Sequence, residues 1–456
     1  MIKKIAMSIC CIFACMHAEP ISNSTFTATP QNTTLQNNTQ ENEITLRLEN
    51  VLRNDSGGLS LKELLNSANN NYALQAQDLL ARQADKDHLV QIMALIPTLD
   101  AKYNFNHSSA SVPMSYTTQN AQLAFNMKFD YADYNAIREK GATATKASYD
   151  SKYTKQSIYL QVVQQYYTYF SNESKLLTLE QKLEQINSDV DRVQKLYNQG
   201  LKTIADLESL KSQAALTQYQ IDDAKLALEQ SKLMLEYLTN TKIESLKRVQ
   251  IESPSFKLQD RDDIKSLEYQ VQAQKYLNKQ LHYFPVLNIQ DSYTYNIQIP
   301  DFAKGLINSG TLPPSFLMSY ADHQNTFSVV VSYGLFAKIG QSMQKQSFRL
   351  AQLATEKNLA YKKNEQKKDE ELYRKAIEVA QNQIKSAKAS LISANLSYDN
   401  MKKRYDANLV TFTEYLRALS TKYDAESTFI QALNNYEIQK ANYIFYSGQE
   451  LEQYIQ

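Results

Sequence analysis

The chain has no tryptophan and, in 456 residues, only nine glycines and nine prolines. So few breakers allow few turns, and the elements between them must be long. The three cysteines, Cys10, Cys11 and Cys15, all lie at the extreme N-terminus, which excludes an internal disulfide from the rest of the chain. After that terminus no window approaches the roughly twenty apolar residues of a membrane-spanning helix, so any entry into a membrane must be made by strands. The net charge of +1 gives no argument for nucleic acid or for any strongly charged partner. Chemistry is also sparse. His17 is in the leader, His88 and His282 stand alone near the ends of helices that lead into strands, and His107 and His323 lie at the loop sides of strands. None has a cysteine or acid at metal-ligand spacing, and no nucleophile elbow, phosphate loop or pair of catalytic carboxylates stands out. An enzyme is not expected, nor any cofactor or metal.

What is abundant is tyrosine, 31 residues of it. Its ring and hydroxyl suit surfaces between apolar and wet zones, although compositional bias accounts for many of them equally well. Met1-Ile2-Lys3-Lys4 followed by the apolar run Ile5 to Ala14 reads as a signal peptide over 1–18, with cleavage after Ala18. Cys15 after Ile12-Phe13-Ala14 loosely resembles a lipoprotein site, with Phe13 where a small residue is preferred, so lipidation of Cys15 is the alternative. Residues 19–58 are rich in Ser, Thr, Asn and Gln and are expected to be disordered.

Two helical hairpins organise the remainder. Leu176, Leu179, Leu183, Ile186, Val190, Val193 and Tyr197 recur at spacings of three and four, a seam that must pack against another helix. Gly200-Leu201 interrupts it, and it resumes from Leu207 to Leu238. The pattern returns at one constant offset: Ile384, Ala387, Leu391, Ala394, Tyr398, Met401 and Tyr405, then Asn408-Leu409, then Tyr415 to Tyr446. A constant offset over some sixty residues means duplication. The repeats are placed at 59–240 and 261–456, with a linker at 241–260 expected to form a belt part way along a shaft. Ser60-Leu61-Lys62-Glu63 has the capping-box form, and helical patterning continues from there to Ile96. Long helices are expected from Asp133 to Asn198 and from Lys338 to Ala407, each spanning about 100 Å. Shorter ones run from Thr203 to Thr239, Arg261 to Phe284 and Thr411 to Tyr446. Lys362 to Lys375, dense in Lys and Glu, reads as a solvated helix face.

Before each long helix the period changes to two. Leu99, Ala101, Tyr103 and Phe105 alternate with polar residues; so do Ala121, Leu123, Phe125, Met127, Phe129 and Tyr131. In the second repeat Leu287, Ile289, Tyr293, Tyr295, Ile297 and Ile299 form one apolar face broken only by Asp291, and Phe327, Val329, Val331, Tyr333 and Leu335 form another. Two ordinary hairpins packed on a helical core would show the same alternation, but no apolar helix face is left over to cover two sheets. Four amphipathic strands cannot close, and open edges are not tolerated in lipid, so such a chain must oligomerise. Two copies would make eight strands with a filled interior; three would make twelve, with room for a polar lumen.

Tyr197-Asn198-Gln199-Gly200-Leu201-Lys202-Thr203-Ile204-Ala205-Asp206-Leu207 and Tyr405-Asp406-Ala407-Asn408-Leu409-Val410-Thr411-Phe412-Thr413-Glu414-Tyr415 resemble the two tip motifs of the TolC-type outer-membrane efflux proteins. The likeness in organisation covers nearly everything from Ser60 to Gln456. It implies a membrane α+β fold of two tandem repeats, with four transmembrane β-strands per chain and a 12-stranded barrel in the homotrimer. The strands would be continuous with a long periplasmic antiparallel coiled-coil α-barrel. It further implies a location in the outer membrane and its lipid, extending into the periplasm, and a tip that docks on an inner-membrane pump through a periplasmic adaptor protein and opens like an iris. By resemblance, Tyr405 and Asp206 help tie the closed tip and Glu414 rings the entrance; Tyr197, Gly200, Leu201, Thr203, Asn408, Leu409 and Thr411 build the turns. Two positions depart: Val410 replaces a lock arginine, and Arg417 replaces a second acid. Glu414 and Arg417, at i and i+3, are expected to pair with each other. Thr203 with Asp206 and Thr411 with Glu414 also have the spacing of helix caps. The rival to a channel is a periplasmic coiled-coil adaptor, which would share the seams and tips but need no amphipathic strands.

Overall fold

The computed structural model describes residues 58–109, 115–309, 321–407 and 409–455. The expected signal peptide, Cys15, nearly all of the 19–58 segment and Asn408 lie outside the described residues. Contacts divide the chain at Arg53, and every described element belongs to the unit from Asn54 onward.

Helix α1 (Leu61–Ala68) starts with the capping box foreseen in the sequence: Ser60 Oγ accepts from Glu63 N–H, and Glu63 accepts from Ser60 N–H at 2.7 Å. The single helix expected from Ser60 to Ile96 is broken. A second helix, α2 (Tyr72–Met93), begins after Asn71, whose Oδ1 caps Ala73 N–H and whose Nδ2 donates to the buried Leu238 carbonyl. Tyr159 donates to Asn69 at the same bend. Two asparagines with distant partners thus interrupt a continuous helical pattern.

Strands β1 (Thr98–Ser109) and β2 (Ser115–Phe129) come next, then α3 (Tyr131–Asn198), α4 (Ile204–Thr239) and α5 (Asp262–Gln280). After them stand β3 (Val286–Gln298), α6 (Asp301–Asn308) inside the expected loop, β4 (His323–Ser332), α7 (Ala337–Asp406), α8 (Phe412–Tyr446) and a 3₁₀ turn at Leu451–Tyr454. α3 begins two residues earlier than expected because Asp130 caps Ala132 N–H. α5 stops at Gln280 rather than Phe284. The Lys362 to Lys375 face carries exposed pairs such as Lys375–Glu371, but it also sends Lys363 to Glu268 of α5 and buries Gln366, so it is only partly solvated.

The strands form one antiparallel sheet in sequence order, with β1 and β4 at its edges. Register decides its character. Leu99 faces Phe125, Ala101 faces Leu123, and Leu123 faces Tyr293. Met127 faces Ile289, which faces Val329, and Phe129 faces Leu287, which faces Val331. Because side chains alternate, all of these lie on one face, and the asparagine-, glutamine- and serine-rich residues between them lie on the other. Asp291 interrupts the apolar face between Phe125 and Phe327. No helix among the described residues is long and apolar enough to cross a membrane.

The seams are buried as their spacing requires: Ile186, Val193, Leu210 and Leu235 have no exposed surface, and Leu207, Ile221 and Leu391 have almost none. Tyr197 departs, being 38% exposed at the last turn. A second core gathers Leu61, Leu64, Tyr166, Tyr167, Leu238 and Ile444 around the 240–261 segment. That segment forms no helix. It is stitched to the helices beside it: Leu59 pairs with Leu246 in a parallel bridge, Tyr167 donates to the Val249 carbonyl at 2.7 Å, and Ile251 N–H donates to Glu437. Gln259 N–H donates to the Ser447 carbonyl, and beside it Gly448 ends α8 at φ +79° with the Gln259 carbonyl oxygen so near that a Cβ would collide with it.

This gives a test by comparison. Gly200 has a similar φ, +73°, but open space around it. Gly200→Ala is expected to cost about 1 kcal/mol, the conformational penalty alone, and Gly448→Ala clearly more because backbone must also move. Urea unfolding followed by helical circular dichroism measures both.

Candidate functional site at the hairpin tips

Each tip is made by the same local chemistry. Past α3, Leu201 N–H donates to Leu196 O at 2.9 Å and Gly200 N–H to Tyr197 O at 2.9 Å, the two bonds of a Schellman ending. Past α7, Leu409 N–H donates to Arg404 O at 2.8 Å, the same outer bond. The returning helices start with capping boxes, Thr203 with Asp206 and Thr411 with Glu414. Leu201 and Leu409 are left at equivalent places, 66% and 69% exposed.

Glu414 therefore does not pair with Arg417. Its carboxylate accepts from Thr411 N–H and Oγ at 2.8 Å each, and Arg417 is exposed one turn further on. The hydrogen bond from the Thr411 backbone, then that from its hydroxyl, holds the Glu414 carboxyl below its ordinary value. Nor are Tyr405 and Asp206 joined by a hydrogen bond. Asp206 turns to its cap, and Tyr405 Oη is buried with no hydrogen-bond partner in the described chain. Burial raises the Tyr405 phenol. Its ring stacks on Tyr415 at 4.9 Å and 13°, with the Lys202 ammonium 4.6 Å from the ring centroid. Val410 packs against this cluster, as an apolar side chain can and an arginine could not without a partner.

Besides apolar packing, the first hairpin is bound to the second by a set of polar residues that sequence reasoning passed over. Arg192 of α3 donates to Asp406 of α7 at 2.6 Å and to Asp189 at 3.3 Å. Asp189 is buried and accepts from Tyr415 of α8 at 2.6 Å. Burial, then the bond to Asp189, keeps Tyr415 far above the usual tyrosine range, so it acts as a permanent donor. Further along α3, buried Lys182 donates to Ser420 at 3.0 Å. Asp189 and Arg192 flank the seam residue Val190 at i and i+3, the one sequence signal that could have drawn attention to them.

At the other end of the helices, His282 is not alone. Its Nδ1 accepts from Phe284 N–H, and its Nε2 donates to Asp130 at 2.8 Å. Among the described residues no group of His, Cys, Asp and Glu could hold a metal ion.

A sheet with one apolar face is thus carried on paired helical hairpins with matching tips. Residues 64–241 match the outer membrane efflux protein family. No curated protein matches the sequence. Among solved structures the fold is similar to the CmeC outer membrane channel of Campylobacter jejuni, with TM-score 0.74 and 16% identity over 86% of either chain. It is also similar to the outer membrane protein VceC of Vibrio cholerae, with TM-score 0.74 and 14% identity, covering 86% of this chain and 96% of that one. The open-state MtrE channel of Neisseria gonorrhoeae gives TM-score 0.70 at 15% identity over 86% of this chain and 89% of that one. The chain is thus similar to outer membrane efflux proteins over residues 64–241 and to outer-membrane channels in fold over most of its length.

The caps generate a pH prediction. Glu63 and Glu414 both lie below the ordinary 4.5, so what they add to stability is present above that value and lost as pH falls through their lower folded values. Thermal stability is expected to fall on acidification below pH 4.5, and Glu63→Gln with Glu414→Gln should flatten that limb.

Proposed function

We propose that the protein is the exit duct of a tripartite pump, a homotrimer that carries small molecules or proteins from the periplasmic side to the exterior. The observation that supports this best is the register of the sheet. It sets an apolar face, broken only at Asp291, beside two unpaired edge strands, a combination that only closure with further copies makes tolerable in lipid. Three copies supply twelve strands and a polar lumen. The flanking helices agree. α2 leads into edge strand β1 and exposes Tyr72, Leu79 and Val90 along one side; α7 leaves edge strand β4 and exposes Phe336, Ile339, Met343 and Leu350. Joining β4 of one copy to β1 of the next sets these two stripes side by side. A coiled-coil adaptor would have no use for such a sheet.

The tips are the gate, and exposed Leu201 and Leu409 are the surface offered to an adaptor. Holding the tip shut must cost little, since adaptor binding has to reverse it. Arg192 and Asp406, 39% and 46% exposed, suit that role: an exposed pair is worth no more than about 1 kcal/mol, roughly a fivefold bias.

Purified protein in a planar bilayer, with its mass in detergent measured on the same sample, is expected to be a trimer giving small, long-lived openings. Arg192→Ala should raise open probability by up to about fivefold. The exchange Arg192→Asp with Asp406→Arg should restore the resting state. A monomer, or a protein that never conducts, would remove the duct; unchanged gating in both variants would remove this clamp.

A further inference from the structure

A cavity of about 370 Å³ opens where the helices meet the sheet, between the last turns of α5, the 281–285 connection and the first turns of α7. Its wall holds three cations, Lys275, Lys279 and Lys345, and no carboxylate. Among the described residues none of the three ammonium groups has a salt-bridge partner; Lys345 instead lies 5.3 Å from the Tyr283 ring centroid. Three like charges around one hollow repel each other until an anion enters. A second observation narrows the anion. Asn278, also in the wall, has its Oδ1 buried without a hydrogen-bond partner, an acceptor left for a donor on the ligand.

The cavity lies at a defined level. β2 ends at Phe129 and β3 begins at Val286, while Tyr131 and Phe284, ring centroids 5.4 Å apart, stand against it. The His282 bond to Asp130 fixes the connection that carries Phe284. Aromatic rings and lysines at the boundary of an apolar zone meet headgroups. Helical spacing puts Lys345 and Gln352 on the side of α7 opposite the stripe of Phe336, Ile339, Met343 and Leu350, so a neighbouring copy packed on that stripe would leave the cavity open.

We propose that this cavity binds the headgroup of a phospholipid, the three lysines holding its phosphoryl group and Asn278 Oδ1 accepting from a headgroup hydroxyl or ammonium. The proposal rests on the reading of the sheet as membrane-embedded. Free phosphate shares the first contact and lacks both the acyl chains and the second.

The test is calorimetric titration of the full protein, in a neutral maltoside detergent, with dihexanoyl phosphatidylglycerol and separately with inorganic phosphate. Conductance is recorded on the same samples. Saturable lipid binding, one per chain, is expected, with phosphate much weaker. Lys275→Gln, Lys279→Gln and Lys345→Gln together should weaken the lipid at least about tenfold. The same three positions changed to arginine, or glutamines at remote Lys225, Lys232 and Lys385, should leave it within about threefold. Asn278→Leu should weaken lipid but not phosphate. Absence of saturable binding, phosphate binding as tightly as lipid, or full binding by the glutamine variant would each overturn the proposal. A sample that conducts yet fails in this way leaves the duct standing, whereas one that does not conduct removes the membrane reading on which the site rests.

Discussion

Backbone hydrogen bonding at the two edges of the sheet is the constraint on which the architecture depends. A strand with unpaired N–H and C=O groups and an apolar side has no stable home: water disfavours the side chains and lipid disfavours the backbone. The chain carries two such strands, β1 and β4. Each is joined directly to a helix with an apolar stripe of its own, so the need for partners extends from the sheet down the shaft. Duplication suits this need. Two repeats, each of two strands and a hairpin, put one open edge on either side of the sheet.

Within the chain the helices serve different demands. Their seams are apolar and close-packed, as at Ile186, Val193, Leu207 and Leu210. Near the tips that cluster also takes in Phe412, Tyr415 and Leu419 of the second hairpin, and at its edge the two hairpins meet through hydroxyls, carboxylates and guanidinium, the Asp189, Arg192, Asp406 and Tyr415 group. Of these contacts the half-exposed Arg192–Asp406 pair is the one that solvent can replace at small cost.

Local signals in the sequence carried most of the fold. Periodicity located the seams and strands, and Ser60, Thr203 and Thr411 with their acids marked helix starts that the structure reproduces. Contacts between distant residues were hidden. His282 looked solitary because Asp130 stands 152 positions away. The break at Asn69 to Asn71 was invisible because its causes, Tyr159 and the Leu238 carbonyl, belong to other helices. Arg192 sat on a surface like any other arginine. Glu414 and Arg417 had a spacing that permits pairing, but a backbone amide and a hydroxyl at Thr411 lay nearer and won the carboxylate.

The 240–261 segment crosses α3 near Tyr166 and Tyr167, whose hydroxyls it engages. From there to Asn198 α3 runs about 48 Å, and from there back to Tyr131 about 52 Å. The stitching thus sits near the midpoint and acts as a fulcrum. A tilt of about 5° at that level displaces the tip by about 4 Å, while the end joined to the sheet is held by strand pairing. In the duct proposed above, leverage of this kind would let a rearrangement too slight to disturb any packed core become an aperture at the far end.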